Sequence, residues 1–340
     1  QYSSADSGNS WNNVSGTVYF VYAKNPETVG TVNHTSDGII MTMKNLDGNN
    51  VAIGPDSNSR IDIGGSYGNG SIKKNLLRTL LGNNGYPIAS NSGTNLESLF
   101  NGKEVNHLFL QSVYDSTGYY EYSSFKNYAY LGADNSNFTV YDVIGTPKNE
   151  DRYFYKRGNF MPYNEIANGK FSTNANLYDE DGKKLADTDP EKGRELYLTQ
   201  GTNDYYFSMY MGANFLQPKN GKATLPDGSS KQDMIYEFNG DDDMWIYIDG
   251  VLVLDIGGVH DAHSGKINFN TGVVSWKDCQ TGNDPVESST TLKAIFQTAG
   301  VFPDGTGWDD SKVGNYFTGN TFKDYTTHTF KMFYMERGAG

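Results

Sequence analysis

The chain has 340 residues, with 27 Lys plus Arg against 40 Asp plus Glu, giving a formal charge of −13. That balance excludes a nucleic-acid binder, which needs a basic face to release counterions. The single cysteine, Cys279, excludes a disulfide framework and any Cys-based zinc site.

Gln1 to Asn13 is polar, as at the start of a mature or trimmed chain, and shows no signal peptide. Short β-branched and aromatic runs bounded by Gly, Asn and Pro follow at Thr17 to Ala23 and Ile39 to Met43. Ser71 can cap a helix over Ile72 to Leu81, whose Ile72, Leu76, Leu77, Leu80 and Leu81 share one stripe before Gly82. Asn95 can cap a turn through Phe100. Strand patterns resume at Val105 to Tyr114, Tyr119 to Tyr122, Ala129 to Leu131 and Asn137 to Val143.

A soft boundary at Gly145 to Asp151 divides the chain into residues 1–145 and 146–340. The first part is either a β-rich region of its own or a supplier of strands to the same sandwich. Lys170 to Lys192 is a polar surface excursion or a seam. Strands then follow at Tyr205 to Met211, Met234 to Phe238, Met244 to Asp249, Val251 to Leu254, Lys266 to Asn270 and His328 to Met335. A short helix from Thr290 to Phe296 ends near Gly300. Many short strands with turn residues between them predict an all-β sandwich or barrel decorated by a few short helices. No apolar run approaches the roughly 18 residues of a membrane-spanning helix. The longest, Val251 to Val259, is broken by Asp255 and two glycines.

Heavy use of Tyr, Asn, Gly and Thr is the composition of extracellular β-rich proteins. A large sandwich without disulfides fits a Gram-positive surface protein better than a eukaryotic secreted one. The sequons Asn33-His34-Thr35 and Asn137-Phe138-Thr139 carry meaning only in a eukaryotic secretory pathway.

The most informative stretch is Asn239 to Gly265, NGDDDMWIYIDGVLVLDIGGVHDAHSG. Asp241, Asp242 and Asp243 follow a strand and a glycine. Strict alternation then sets Met244, Ile246 and Ile248 against Trp245, Tyr247 and Asp249. Asp249-Gly250 signals a hairpin turn, with Val251 to Leu254 as the returning strand. The triple Asp therefore sits at the open end of a hairpin. Three adjacent carboxylates repel one another, and either solvation or a hard cation offsets that repulsion. Calcium, with roughly six to eight oxygen ligands, suits them better than magnesium, and Asp255 and Asp261 lie within reach. An exposed acidic turn is the plain alternative.

The run GDDDMWIYIDGVLVLDIGGVHDAHSGKINFNTG resembles the signature of the fibro-slime family, a branch of the protective-antigen (PA-fourteen) β-sandwich domains of bacterial surface adhesins and yeast flocculin lectins. DYYFSMYMGANFLQP (Asp204 to Pro218) and YTTHTFKMFYMERGAG (Tyr325 to Gly340) are similar to flanking strands of that family, so the likeness covers Asp204 to Gly340. It implies an antiparallel, jelly-roll-like sandwich with an enlarged N-terminal region. In the lectin members two consecutive aspartates joined by a cis peptide hold a calcium ion that binds sugar hydroxyls. Aligned on Ile248 to Gly250, that pair corresponds to Asp241 and Asp242, with Asp243 where many relatives have Gly. The resemblance thus implies a secreted or cell-wall-anchored module binding host or microbial glycans, or surface proteins. Asp241, Asp242, Asp243 and Asp255 would surround the ion, with His260 and Asp261 bracing the loop.

Other constellations are weaker. His260 and His263 lie three apart in a Gly-rich turn with no third strong zinc ligand. Asp179-Glu180-Asp181-Gly182 lacks the downstream Glu of an EF-hand and reads as a solvated turn. Phe302 to Asp310 places Trp308 beside Asp309 and Asp310, an aromatic face with acidic neighbours that suits a sugar as well as it suits a sandwich edge. No nucleophile elbow, phosphate loop or dinucleotide fingerprint is present, and no acid–base carboxylate pair can be nominated. The expectation is binding without turnover. A protein-binding surface domain, in which calcium only stabilises the acidic loop, is the alternative.

Overall fold

The computed structural model describes residues 38–46, 61–124, 127–131, 136–142, 160–163, 206–228, 231–278 and 286–337, with short strands at 2–4, 11–13 and 33–34. The strand expected at Thr17 to Ala23, the excursion Lys170 to Lys192 with its Asp179 to Gly182 turn, the boundary at 145–151 and Cys279 lie outside these residues.

Two compact units divide the chain: residues 1–24, 37–104 and 206–340 form one, residues 25–36 and 105–205 the other. Ten of the first unit's strands build its two largest sheets: β1 (Ile39–Asn45), β2 (Lys103–Glu104), β3 (Tyr206–Leu216), β4 (Ile235–Gly240), β5 (Asp243–Ile248), β6 (Val251–Ile256), β7 (His263–Asn268), β8 (Val273–Asp278), β9 (Val286–Thr291) and β10 (Thr327–Arg337). One sheet runs β6-β5-β10-β3-β1-β2 and the other β4-β7-β8-β9, with antiparallel pairing throughout. The molecule is thus mostly antiparallel sheet with few short helices, as an all-β sandwich requires. Strand β1 pairs along β3, from Ile39 opposite Ala213 to Asn45 opposite Phe207, so residues before the expected boundary extend the C-terminal sheet.

Both faces of the larger sheet are covered. Trp245, Tyr247, Phe333 and Met335 join Leu77, Ala89, Leu96, Leu99 and Phe100 in one buried cluster. On the other face, the Phe330 ring lies 5.2 Å from Tyr236 and the Tyr334 ring 6.0 Å from Phe238, both from β4 of the second sheet. Every residue of β5 is buried. Its alternation therefore separates two cores rather than core from solvent, because residues 61–100 cover the face that a bare hairpin would expose.

Residues 72–81 are not helical. The Lys73 N–H donates to the Gly257 carbonyl at 2.6 Å, Leu252 N–H to Thr79 at 2.8 Å and Leu81 N–H to Gly250 at 3.0 Å. On its other side Arg78 N–H donates to Ile88 at 2.9 Å and Ser90 N–H to Leu76 at 2.8 Å. The segment is a strap along β6, bent where Asn75 takes φ +64°. Ten residues of helix are marginal alone, whereas an outer strand offers a row of unpaired amides and carbonyls. The leucine stripe thus serves an extended chain, with Leu77 buried.

The shorter expected helices form. Asn95 Oδ1 accepts from Glu97 N–H at 3.0 Å ahead of helix Glu97–Phe100. Helix Leu292–Ala299 is capped by the Thr291 side chain and closed by Gly300 at φ +75°. The unit containing residues 105–205 carries a hairpin of Asn127–Leu131 with Phe138–Asp142. It also carries a helix, Gln111–Thr117, where part of a strand was expected. Gly118 closes that helix at φ +76° with its N–H on the Tyr114 carbonyl.

Candidate functional site

The acidic loop joins β4 to β5, and β10 ends beside it. Asp243 opens β5 opposite Met335, which places Glu336 and Arg337 against the three aspartates. Asp242 sits at φ +55°, a left-handed conformation that Asp tolerates better than most residues. No described peptide bond is cis, so the Asp241–Asp242 bond is trans, in contrast to the cis pair that the resemblance implied. The sharp reversal is made by the positive φ instead.

The aspartates are divided among different partners. Asp243 is fully buried and ion-paired with Arg337: Nε lies 2.5 Å from Oδ2 and Nη2 3.1 Å from Oδ1. Gly258 N–H also donates to Asp243 Oδ1 at 2.5 Å. The remaining guanidinium arm, Arg337 Nη1, donates to the Gly64 carbonyl at 2.9 Å. Two loops are thereby tied to the end of the sheet through one buried ion pair.

Asp242 looks another way. Its Oδ1 accepts from His260 N–H at 3.2 Å and its Oδ2 from Arg337 N–H at 2.7 Å. Burial, then the neighbouring Asp243 charge, pushes its carboxyl up to about 7. Glu336 hydrogen-bonds it and is itself raised well above the usual carboxylate range by burial, then by Asp242 and Asp241. Tyr334 Oη donates to Glu336 Oε2 at 3.0 Å. Asp241, Asp242 and Glu336 thus form one electrostatically coupled group.

Asp255 does not join them. Asn75 N–H donates to its Oδ2 at 2.8 Å and Trp245 Nε1–H to its Oδ1 at 3.1 Å, so it fastens the strap to β6. Burial raises its pKa, offset by Asn75 and by Lys74, whose ammonium stands 3.2 Å from the Trp276 ring centroid. The His260 backbone N–H bonds Asp242, and its Nδ1–H donates to the Asp261 carbonyl at 2.8 Å. Burial, then His263 4.4 Å away between ring centroids, lowers its pKa. Asp261 N–H donates to Gly70 at 3.3 Å.

Trp308 and Asp309 lie in a separate loop whose bonds come from residues 300–317. Trp308 stacks on Phe302 at 4.8 Å and donates Nε1–H to Asp310 Oδ1 at 2.8 Å. Asp309 caps the turn Asp310–Asn315 through Ser311 and pairs with Lys312 at 3.0 Å, which holds its carboxyl down to about 2. These residues share no hydrogen bond or ring contact with the acidic loop.

Among the described residues, no group of three or more His, Cys, Asp or Glu side chains is placed to hold a metal ion. Donor chemistry nevertheless sorts the four aspartates. Asp243 is neutralised by Arg337, and Asp255 is committed to Asn75 and Trp245, so neither offers a charge that lacks compensation. Asp242 and Glu336 hydrogen-bond each other, and burial with mutual repulsion makes both ionise reluctantly. Sequence reasoning missed Glu336 and Arg337. Their signal was a charged Glu-Arg pair closing the otherwise apolar strand Met332 to Met335.

No protein-family model matches the chain, and no solved structure matches it. Three similar proteins come from Dictyostelium discoideum. Protein psiF is 25% identical over 197 residues, covering 57% of this chain and 22% of that protein. Protein psiB is 31% identical over 110 residues, or 32% of this chain and 17% of its own. Protein psiG is 52% identical over 34 residues, 10% of this chain and 5% of its own. The chain spans about a fifth of the length of the first two. It is thus distantly similar, over part of its length, to Dictyostelium psi proteins.

Proposed function

We propose that the chain is a non-catalytic glycan-binding module of the fibro-slime, protective-antigen type, carried by a secreted or cell-wall-anchored protein and dependent on calcium at its acidic loop. The observation that carries this reading is the coupled group of Asp241, Asp242 and Glu336, in which burial and mutual repulsion leave Asp242 and Glu336 reluctant to ionise. These three residues would hold the ion, and calcium would supply open coordination positions for vicinal hydroxyls. The chain's own residues do the rest. Arg337 and Asp243 fix the ends of β5 and β10, His260 holds the Asp242 carboxylate in place, and Trp308 with Asp309 offers an aromatic and polar surface in a separate loop. Isothermal titration of the metal-free chain with calcium, followed by a glycan array with and without EDTA, tests the reading. Calcium binding with EDTA-sensitive glycan capture is expected, and glycan capture indifferent to EDTA would remove the ion from it.

A second reading is favoured by the Arg337–Asp243 pair. The loop is already stapled by an internal cation, so the domain can present a protein-binding surface with its acidic loop serving only the fold. A blank glycan array together with calcium-independent melting would select this reading.

A further inference from the structure

The strap of residues 73–81 does more than cover β6. With residues 88–90 it forms a shallow groove of about 560 Å³, whose lining includes the apolar Leu80, Leu81 and Ile88 and the polar Arg78, Thr79 and Ser90. None of the acidic-loop aspartates lines it.

Arg78 is held at its backbone and loose at its side chain. Its N–H donates to the Ile88 carbonyl, and its own carbonyl accepts from Tyr247 Oη at 2.8 Å. Its neighbour Leu77 is buried at 2% exposure, which anchors the strap from beneath. The Arg78 guanidinium is exposed and makes no hydrogen bond or ion pair with any described residue. The contrast with Arg337, spent entirely on Asp243, Gly64 and the fold, is direct. In a chain of net charge −13, carboxylates outnumber cations, yet none among the described residues pairs with this one. The hydroxyls of Thr79 and Ser90 are likewise without a partner among the described residues.

The chemistry of these groups selects a ligand. A guanidinium presents a planar fork of donors that matches a carboxylate with two parallel hydrogen bonds. Flanking hydroxyls both donate and accept, as sugar hydroxyls require. Leu80, 43% exposed, offers an apolar surface on which the C–H face of a sugar ring can pack. The volume lies within the range of small-molecule clefts, roughly 300–1,000 Å³. We propose that this groove binds a carboxylate-bearing sugar, a uronic acid residue of an acidic glycan, with Arg78 on the carboxylate and Leu80 under the ring. The inference takes its ligand class from the glycan reading above but uses neither the calcium ion nor the acidic loop.

The test is a nuclear magnetic resonance titration of the full chain with sodium glucuronate, glucose and sodium glutamate, each with calcium and again with EDTA. Glucuronate is expected to shift resonances of residues 75–90, with glucose and glutamate binding at least tenfold more weakly. Arg78→Gln, an exposed substitution that removes charge without opening the fold, is expected to weaken glucuronate binding roughly tenfold and to leave glucose unchanged. Leu80→Ala is expected to weaken both sugars. The result is expected to be indifferent to EDTA, so loss of the calcium site and loss of this groove are separable outcomes. Equal binding of glucuronate and glucose would remove Arg78 from recognition. Equal binding of glutamate would make the groove a general carboxylate site and overturn the sugar assignment. An absence of shifts with every ligand would overturn the proposal outright.

Discussion

Arg337 and Asp243 meet with both side chains fully buried, Nε 2.5 Å from Oδ2. Removing one partner leaves the other charged and desolvated, which costs about 3–5 kcal/mol, more than the pair contributes over a well-packed apolar replacement. Asp243→Ala is therefore expected to destabilise by about that amount. Asp243→Ala combined with Arg337→Met is expected to cost clearly less than the sum of the two single changes. Urea unfolding of the three variants measures the coupling, and strict additivity would show that the two groups do not depend on each other.

Calcium affinity separates the carboxylates by partner. Glu336→Gln removes one of the coupled charges and is expected to weaken calcium roughly tenfold. Asp255→Asn leaves calcium affinity unchanged but loosens the strap, because one of the two bonds from Asn75 and Trp245 is lost, at a cost of about 1–2 kcal/mol. Calorimetry for the first and unfolding for the second check this. A calcium loss on Asp255→Asn with none on Glu336→Gln would reverse the assignment.

The raised carboxyls give a direction with pH. Asp242 has its ordinary value of 3.8 when unfolded and about 7 when folded, and burial moves Glu336 the same way. Between those limits the folded chain holds a proton that the unfolded chain has released. The resulting stability is complete below the unfolded value and is lost as pH rises through the folded one. In EDTA the melting temperature is thus expected to be higher near pH 5 than near pH 8. Calcium, by replacing the proton, is expected to narrow that gap. A scanning fluorimetry series that is flat across this window in EDTA would refute it.

Local chemistry made the hairpin legible. Asp249 and Gly250 take φ +49° and +78°, the left-handed pair that an Asp-Gly turn favours, and β5 and β6 flank it as the alternation required. Thr291 and Gly300 likewise marked both ends of their helix. The strap was not legible. Its leucine spacing fits a helix, and only the unpaired edge of β6, some 170 residues further on (Thr79 to Leu252), tells the chain to extend. The candidate site was half legible for the same reason. Three adjacent aspartates announce a charge problem. Which is answered by Arg337, and which is left to Glu336, depends on the register of β10 against β5.

That register also places His328 over the hairpin turn, where two effects compete at Asp249. A left-handed conformation costs a non-glycine residue about 1 kcal/mol, so Asp249→Gly would relieve strain. The same change deletes the carboxylate that lies 2.6 Å from His328 Nδ1 and accepts from Thr329 N–H at 2.8 Å. His328 is 3% exposed, stacked on Phe322 at 3.9 Å, with Thr326 Oγ1 2.7 Å from its other nitrogen. Water therefore cannot readily replace the lost partner, and an orphaned buried imidazole costs roughly 1–3 kcal/mol with about 1 more for the Thr329 bond. The hydrogen bonds outweigh the strain. Asp249→Gly is expected to destabilise by about 2 kcal/mol, and Asp249→Asn, which tolerates the turn and keeps one acceptor, by less. Chemical denaturation ranks the three, and a glycine variant as stable as the parent would mean that backbone strain dominates this turn.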